Sequence, residues 1–304
     1  MEYTTESLTE LIFGVINNIF SKLFNSIDNT VYSMLDEITF IDKDILKQKN
    51  FTKIFGADNT SGVLLIANSL LLGFFIYYAF SYLLSHLTLK QIQRPGQFFF
   101  KAIIFIAIMN SSLWFCEEII NIVSLITKSL NALCEDVFNT QISFTSFLNM
   151  LNQSLDRNDL TFDLFSFNGI IKTFTSIGIL NLILTYSLRY VLIQVFVIIC
   201  PFAILSLLNE SSERLFKVWL KNFLMLLFVQ VLLSIMLMLA FSFDSIGNKL
   251  LQKLLFVAII YAVSRTNHFM KEIVGGITFD VKQNIGVIRW NLFFQKIIIL
   301  ELKY

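Results

Sequence analysis

Long apolar runs separated by short polar segments dominate the chain from residue 63 onward. Four of these runs occupy positions 63–84, 98–115, 173–208 and 218–241. About 20 residues of helix span the roughly 30 Å hydrocarbon core of a bilayer, so each run is long enough, or nearly so, to cross a membrane. The pattern predicts an all-α, polytopic integral membrane protein.

The third run is too long for one simple span and too short for a comfortable hairpin of two. As a single helix, residues 173–208 would reach about 54 Å at 1.5 Å per residue. We therefore predict one long helix that projects outward and is broken near Pro201, because proline removes a backbone donor. Residues 202–208 would then lie at the inner membrane surface.

A fifth apolar run, at 254–263, is short. It reaches the length of a span only if Lys249, Gln252 and Lys253 are included, so it either crosses or forms a re-entrant segment. With this run counted as a span, the fold class is a bundle of about five transmembrane helices with amphipathic N-terminal and C-terminal helices.

The polar segments divide the chain into three regions. Residues 1–62 are expected to be extracytoplasmic, residues 63–264 to form the transmembrane domain with an extracytoplasmic loop at 116–170, and residues 265–304 to form a cytoplasmic tail. Lys and Arg are about twice as dense in the segments assigned to the inner side, which predicts an outer N-terminus and an inner C-terminus.

Within the first region, apolar residues recur at helical spacing from Leu8 to Val31. This amphipathic helix would lie in the membrane interface or on a partner subunit, or else pack on its own chain. Residues 36–62 are polar and are predicted to form a loop. After the second span the helix is expected to continue as an amphipathic extension, followed by a polar, acidic loop up to Phe167.

Composition agrees with a membrane protein and gives no sign of an enzyme. Hydrophobic residues make up 56% of the chain and charged residues 15%, against roughly 25% charged residues in a soluble domain. Three cysteines and two histidines form no metal-ligand spacing, and no phosphate-binding GxxxxGK[ST] motif occurs. We expect no cofactor, no metal and no catalytic residue. A disulfide between Cys116 and Cys134 stays open on proximity alone.

Four residues between Tyr186 and Gln230 are the candidates for a channel or assembly role: Arg189, Pro201, Trp219 and Gln230. A charge in hydrocarbon costs about 2.5–3.5 kcal/mol on insertion scales, so Arg189 should face a partner or a wet channel, or else snorkel to the headgroups. Gln230 and Ser234 are one helical turn apart, a spacing that suits an interhelical hydrogen bond.

These residues, in this order, resemble the central block of the TrbL family. The block contains Arg189-Tyr190, Cys200-Pro201-Phe202-Ala203, Phe216-Lys217-Val218-Trp219 and Phe228-Val229-Gln230. The resemblance covers about 45 residues, and Gly275-Gly276 later in the chain also fits it. The short fifth run and the absence of a long glycine-rich tail depart from the family pattern.

The resemblance implies a non-enzymatic channel or scaffold subunit of a bacterial type IV secretion or conjugation machine, located in the inner membrane. Its expected partners are the lipid bilayer, other membrane subunits and ATPases of the machine, further copies of itself, and the translocating DNA or protein. The alternative is a small-molecule transporter or permease subunit, although neither an inverted repeat nor paired broken helices are visible.

Overall fold

The computed structural model describes residues 14–19, 22, 29–56, 62–88, 94–154, 167–209 and 212–274. Every regular element in these ranges is helical. The all-α prediction is therefore confirmed for this part of the chain. The acidic stretch from Asp156 to Asp163, the Gly275-Gly276 pair and the tail beyond it lie outside the described residues, as does most of the predicted helix from Leu8 to Val31.

Ten α-helices follow residue 28, and they are numbered here in chain order. They are α1 (Asn29–Thr39), α2 (Lys49–Phe55), α3 (Val63–Thr88), α4 (Pro95–Asn110), α5 (Ser112–Phe138), α6 (Phe144–Ser154), α7 (Phe167–Leu205), α8 (Glu213–Ser242), α9 (Lys249–Ser264) and α10 (Thr266–Val274). A 3₁₀ turn, Lys43–Lys47, joins α1 to α2, and a second one, Ser206–Leu208, extends α7.

Three described helices are long and apolar enough to cross a membrane: Val63–Ser85, Asn168–Leu208 and Glu213–Ser245. A fourth span is obtained if α4 and α5, which meet at a 61° bend, are counted together. Helix α9 has 16 residues and does not reach the length of a span. The protein thus has three candidate spans, or up to four, among its described residues.

Helix α7 does not break at Pro201. It runs for 39 residues and continues through Leu205, four residues beyond the proline. Because the proline lies in the last turn of α7, few backbone hydrogen bonds follow it and the helix loses little by continuing. The prediction of one long helix holds, whereas its predicted end was wrong.

Residues 36–62 are not a loop. Their described part, which leaves out residues 57–61, contains the end of α1, the 3₁₀ turn and α2, and several of its apolar side chains are buried although charged residues alternate with them. The buried apolar residues of this segment are Ile41, Ile45, Leu46, Phe51 and Phe55. Apart from the adjacent Ile45 and Leu46 they are four or five residues apart, and this pattern is hard to see when charges interrupt it.

The predicted acidic loop before Phe167 also contains more helix than expected. Helix α5 continues to Phe138, and α6 follows after a turn in which Asn139 adopts a left-handed conformation with φ of 52°. Asn is one of the few residues that tolerate this conformation at a helix C-terminus. Helix α6 buries Phe144, Phe147, Leu148 and Leu151 against the rest of the protein.

Two hydrophobic cores lie one after the other along the antiparallel pair α7 and α8. The first core contains the beginning of α7 and the end of α8, packed with α1, α6 and α9. The second core contains the end of α7 and the beginning of α8, packed with residues 41–55 and with α3, α4 and α5. Arg189 on α7 and Gln230 on α8 lie where the two cores meet.

Candidate functional site

The structure brings Arg189 and Gln230 together inside the protein. Arg189 has 1% of its surface exposed, and so has Gln230. Helices α7 and α8 run side by side, and each places one of the two side chains on the face that meets the other helix. The guanidinium Nη2 donates to Gln230 Oε1 at 3.4 Å.

The other bonds of Arg189 go to backbone carbonyls. Nε donates to the carbonyl oxygen of Leu226 at 2.7 Å, and Nη1 donates to the carbonyl oxygen of Thr39 at 2.8 Å. The planar guanidinium presents its donors in a fixed fork, so one side chain can bond α8 and residues 29–56 at once. We call residues 29–56 the N-terminal segment. No carboxylate among the described residues lies within ion-pair distance of Arg189.

Gln230 pairs with the backbone of Ile41 in both directions. Its Oε1 accepts from Ile41 N at 3.2 Å, and its Nε2 donates to the Ile41 carbonyl oxygen at 3.4 Å. Ile41 lies in the non-helical stretch between α1 and the 3₁₀ turn, so its backbone groups need partners from elsewhere. A buried polar backbone group without a partner costs about 1–3 kcal/mol, and Gln230 removes that cost for Ile41.

We call Arg189, Gln230 and the backbone of residues 39–41 the arginine layer. Tyr186, one turn before Arg189, extends it by donating its hydroxyl to the carbonyl oxygen of Val263 at 2.8 Å. The layer therefore ties α7 to α8, to α9 and to the N-terminal segment. Because both side chains are buried and directed at their own chain, the arrangement is built to hold helices in register.

Pro201 of α7 and Trp219 of α8 lie beyond the arginine layer on the same helix pair, and Trp219 contacts α7 five residues before Pro201. Both are buried, and the Trp219 indole Nε1 donates to the carbonyl oxygen of Phe196 at 2.9 Å. Pro201 lacks the N–H that would bond to the carbonyl of Val197, the residue after Phe196. The Trp219 ring also stacks on Phe223, with ring centroids 5.3 Å apart. This contact fixes α8 against the turn of α7 that the proline weakens.

Ser234 does not bond across helices. Its hydroxyl donates to the carbonyl oxygen of Gln230 in its own helix at 2.9 Å. The predicted interhelical bond is therefore made by Gln230 without Ser234: Gln230 accepts from Arg189 of α7 and also pairs with the backbone of Ile41. A serine inside a helix often bonds back to the carbonyl four residues earlier, and spacing alone does not distinguish this from a bond to another helix.

The proposed disulfide between Cys116 and Cys134 is absent, since all three cysteines are free and buried. Both residues belong to α5, where 18 positions of helix separate them by about 27 Å. The thiol of Cys116 instead lies beside that of Cys200 on α7. Among the described residues, no group of three His, Cys, Asp or Glu side chains could hold a metal ion.

Glu117 lies near Lys47 of the 3₁₀ turn, and Asp42 accepts from Lys128 Nζ at 2.7 Å. These charges lie on the exposed side of the N-terminal segment. Burial by itself would raise the pKa of Asp42, but hydrogen bonds from Lys128 and from the Lys43 N–H outweigh it and hold the pKa below its usual value. Asp42 is therefore held as a carboxylate next to the arginine layer.

Sequence reasoning found the four side chains but missed their partners. The partners of Arg189 on Thr39 and Leu226, the partner of Gln230 on Ile41 and that of Trp219 on Phe196 are all backbone groups, which carry no residue-specific signal. Tyr186 was within reach, since a tyrosine one turn from a buried arginine shares its helix face. Comparisons with family models, with curated proteins and with solved structures returned no match to this chain.

Proposed function

We propose that this protein is a TrbL-type membrane subunit of a bacterial type IV secretion or conjugation apparatus, serving as a channel or scaffold component. In this proposal it lies in the inner membrane with its N-terminus outside. It works with separate ATPases, other membrane subunits and further copies of itself, and it has no catalytic role.

The observation that supports the proposal is the pairing of the residues that carry the resemblance. Arg189 bonds Gln230, and Trp219 bonds the helix turn next to Pro201. Arg189 and Gln230 thus form one contact between α7 and α8, and Trp219 forms a second one five residues before Pro201. A helix pair fixed at two points is a suitable scaffold for a large assembly, because its surface keeps one shape while partners dock.

The test is the frequency of conjugative transfer from a donor that lacks the gene. The donor is complemented with the wild-type chain, with Arg189→Ala or with Arg214→Ala, each expressed to the same membrane level. Arg214 is the matched control, because it is an exposed arginine in the first turn of α8. Transfer should be lost on deletion, restored by the wild type and by Arg214→Ala, and reduced with Arg189→Ala.

Unchanged transfer in the deletion strain would refute the secretion proposal. Loss of uptake of a solute in the same strain would then favour the permease alternative. A membrane extract separates the two further, because a secretion subunit should purify with partner subunits whereas a transporter should bind its solute alone.

A further inference from the structure

The arginine layer divides the two long helices, and the part of each helix on the side of Leu208 and Glu213 matches a membrane in length. From Arg189 to Leu208 the chain rises about 29 Å, and from Glu213 to Gln230 about 26 Å, both at 1.5 Å per residue. The hydrocarbon core of a bilayer is about 30 Å thick. The part of α7 before Arg189 adds about 33 Å, so a single bilayer cannot cover the whole helix.

Basic residues mark the end of these helices farthest from the arginine layer. Arg214, Lys217 and Lys221 are exposed at the start of α8, and Arg94 is exposed at the start of α4. Among the described residues, Glu213 balances them locally through an ion pair with Lys217 at 2.8 Å. Exposed cations at helix ends suit the headgroup region of a membrane.

Two exposed ion pairs lie beside the arginine layer. Asp42 pairs with Lys128 and Asp44 pairs with Lys47, each at 2.7 Å, and the four side chains are 34% to 76% exposed. Exposed ion pairs of this kind are costly among acyl chains, where a single charge costs about 2.5–3.5 kcal/mol or more. These two ion pairs should therefore face water or headgroups.

Between the basic residues at the starts of α4 and α8 and these ion pairs, the surface is apolar, and other parts of the protein hardly cover it. In helix α3 only 11% of the most apolar window is buried, against 50% and 56% in α7 and α8. Its few buried residues, among them Leu64 and Ala67, belong to the second core. Large apolar side chains exposed in this zone include Leu72, Ile76, Phe80, Phe99, Phe100 and Ile103.

We propose that the bilayer surrounds only the second core, between the basic residues at the starts of α4 and α8 and the arginine layer. Lipid acyl chains then cover the exposed apolar surface of this zone, which we call the apolar belt. The arginine layer then lies at the membrane surface, and the first core stands outside the bilayer. The opposite placement, with lipid around the first core, would leave the exposed face of α3 in water. That helix has too few protein contacts to hide its apolar surface.

This placement gives Arg189 a specific task. It lies where α7 leaves the membrane, and it binds the backbone of the segment that carries the exposed ion pairs. The N-terminal segment is thereby anchored at the membrane surface, with its buried residues toward the second core and its charges toward headgroups. Non-helical backbone at Ile41 is acceptable there because its N–H and its carbonyl are both paired with Gln230.

Site-directed spin labels on the full-length chain in lipid vesicles test the placement. Single cysteines would be introduced at Ile103 on α4, Ile177 on α7 and Lys47 in the 3₁₀ turn. Ile103 and Ile177 form a matched pair, because both are isoleucines on helix surfaces and are 66% and 51% exposed. The three native cysteines are fully buried and serve as the unlabelled background, which is measured on the parent chain.

Relaxation by oxygen, which concentrates in acyl chains, is then compared with relaxation by a water-soluble nickel chelate. At Ile103→Cys oxygen should be the stronger relaxant, by about tenfold or more over the chelate. At Lys47→Cys the chelate should be the stronger one. At Ile177→Cys the oxygen effect should be several-fold smaller than at Ile103→Cys, whether water or another protein surface covers that position.

An oxygen-dominated signal at Ile177→Cys equal to that at Ile103→Cys would overturn the proposal, since it would place the first core in lipid as well. An oxygen-dominated signal at Lys47→Cys would overturn it too, because the arginine layer would then lie within the bilayer. A chelate-dominated signal at Ile103→Cys would show that the apolar belt is not covered by lipid.

Discussion

Arg189 Nη1 lies 2.8 Å from the carbonyl oxygen of Thr39, a residue 150 positions earlier in the chain. It is one of the bonds that connect the N-terminal segment to the long helix α7; in another, Gln48 Nε2 donates to the Tyr190 hydroxyl at 3.4 Å. We expect Arg189→Met to reduce the free energy of unfolding by about 1–3 kcal/mol, because the Thr39 carbonyl is left buried without a partner. Thermal unfolding of the purified protein in detergent measures the effect.

Arg189→Lys should be less stable than Arg189→Met. Lysine keeps the buried charge but replaces the planar fork with one nitrogen, so it cannot reach the carbonyls of Thr39 and Leu226 in the same geometry. A buried charge with fewer partners costs more than an apolar side chain of similar size. A lysine variant as stable as the wild type would contradict the structural role given to the guanidinium.

Arg189 and Gln230 should act as one unit. Gln230 Oε1 accepts hydrogen bonds from both Arg189 Nη2 and Ile41 N. The effects of Arg189→Met and Gln230→Leu on stability should therefore be non-additive by about 0.5–3 kcal/mol in a double-mutant cycle. Ser234→Ala is the control, since its hydroxyl bonds only within α8, and it should combine additively with Arg189→Met.

Gly178 sets the distance between α7 and α9. A Cβ built at this position would lie 2.6 Å from Ile260 Cγ2, so Gly178→Ala forces the helices apart. Overpacking costs about 1–3 kcal/mol, partly offset by the better helix propensity of alanine. When Gly178→Ala is made in a protein that already carries Ile260→Ala, it should cause no further loss of stability, because the colliding methyl group is gone.

Gly73→Ala in α3 is the matched control for Gly178→Ala. No atom lies within 4 Å of a Cβ added at this position. Alanine should therefore stabilise the helix by about 0.5–1 kcal/mol, since only the backbone entropy of glycine is removed. Equal melting temperatures for the two alanine variants would contradict the close approach of α7 and α9.

Trp219 should contribute to stability through both its ring and its N–H. Trp219→Phe keeps an aromatic ring near Phe223 but loses the bond to the Phe196 carbonyl, so it should cost about 1 kcal/mol. Trp219→Ala also removes the ring and should cost about 3–5 kcal/mol. Unfolding in detergent gives both values, and equal losses would show that the hydrogen bond, and not the ring, carries the contact.

Asp36 should make stability depend on pH. Its carboxylate accepts from Phe144 N, Thr145 N and the Thr145 hydroxyl at the start of α6, yet burial outweighs these bonds and raises its pKa above the usual value. The unfolded chain then loses this proton at a lower pH than the folded protein does. The free energy of unfolding therefore falls as pH rises from the usual carboxyl pKa through the folded pKa.

Asp36→Asn removes this titration and keeps an acceptor for Phe144 N. The melting temperature of the wild type relative to Asp36→Asn should therefore be highest near pH 4 and should decrease toward pH 7. Parallel curves for the two proteins would contradict a raised pKa. Asp36→Ala should be less stable than Asp36→Asn at every pH, because the start of α6 loses its capping group, a loss of about 1 kcal/mol.

The sequence by itself determined the class of the protein and the position of its long helices. Apolar runs of span length fixed α3, α7 and α8 to within a few residues, because helical backbone bonds are local and apolar composition is read directly. Arg189, Pro201, Trp219 and Gln230 were singled out for the same reason, as polar, aromatic or helix-breaking residues within apolar runs.

The tertiary structure decided how these residues are used. The helices within residues 36–62 and α6 are short, and their stability comes from burying one face against distant elements, which no local pattern records. The partners of Arg189 and Gln230 are backbone groups of a segment about 150 to 190 positions away, and any residue could have supplied them. Only the folding of the N-terminal segment onto α7 and α8 gave Arg189 and Gln230 these partners, and only the pairing of α7 with α8 placed Trp219 against Phe196.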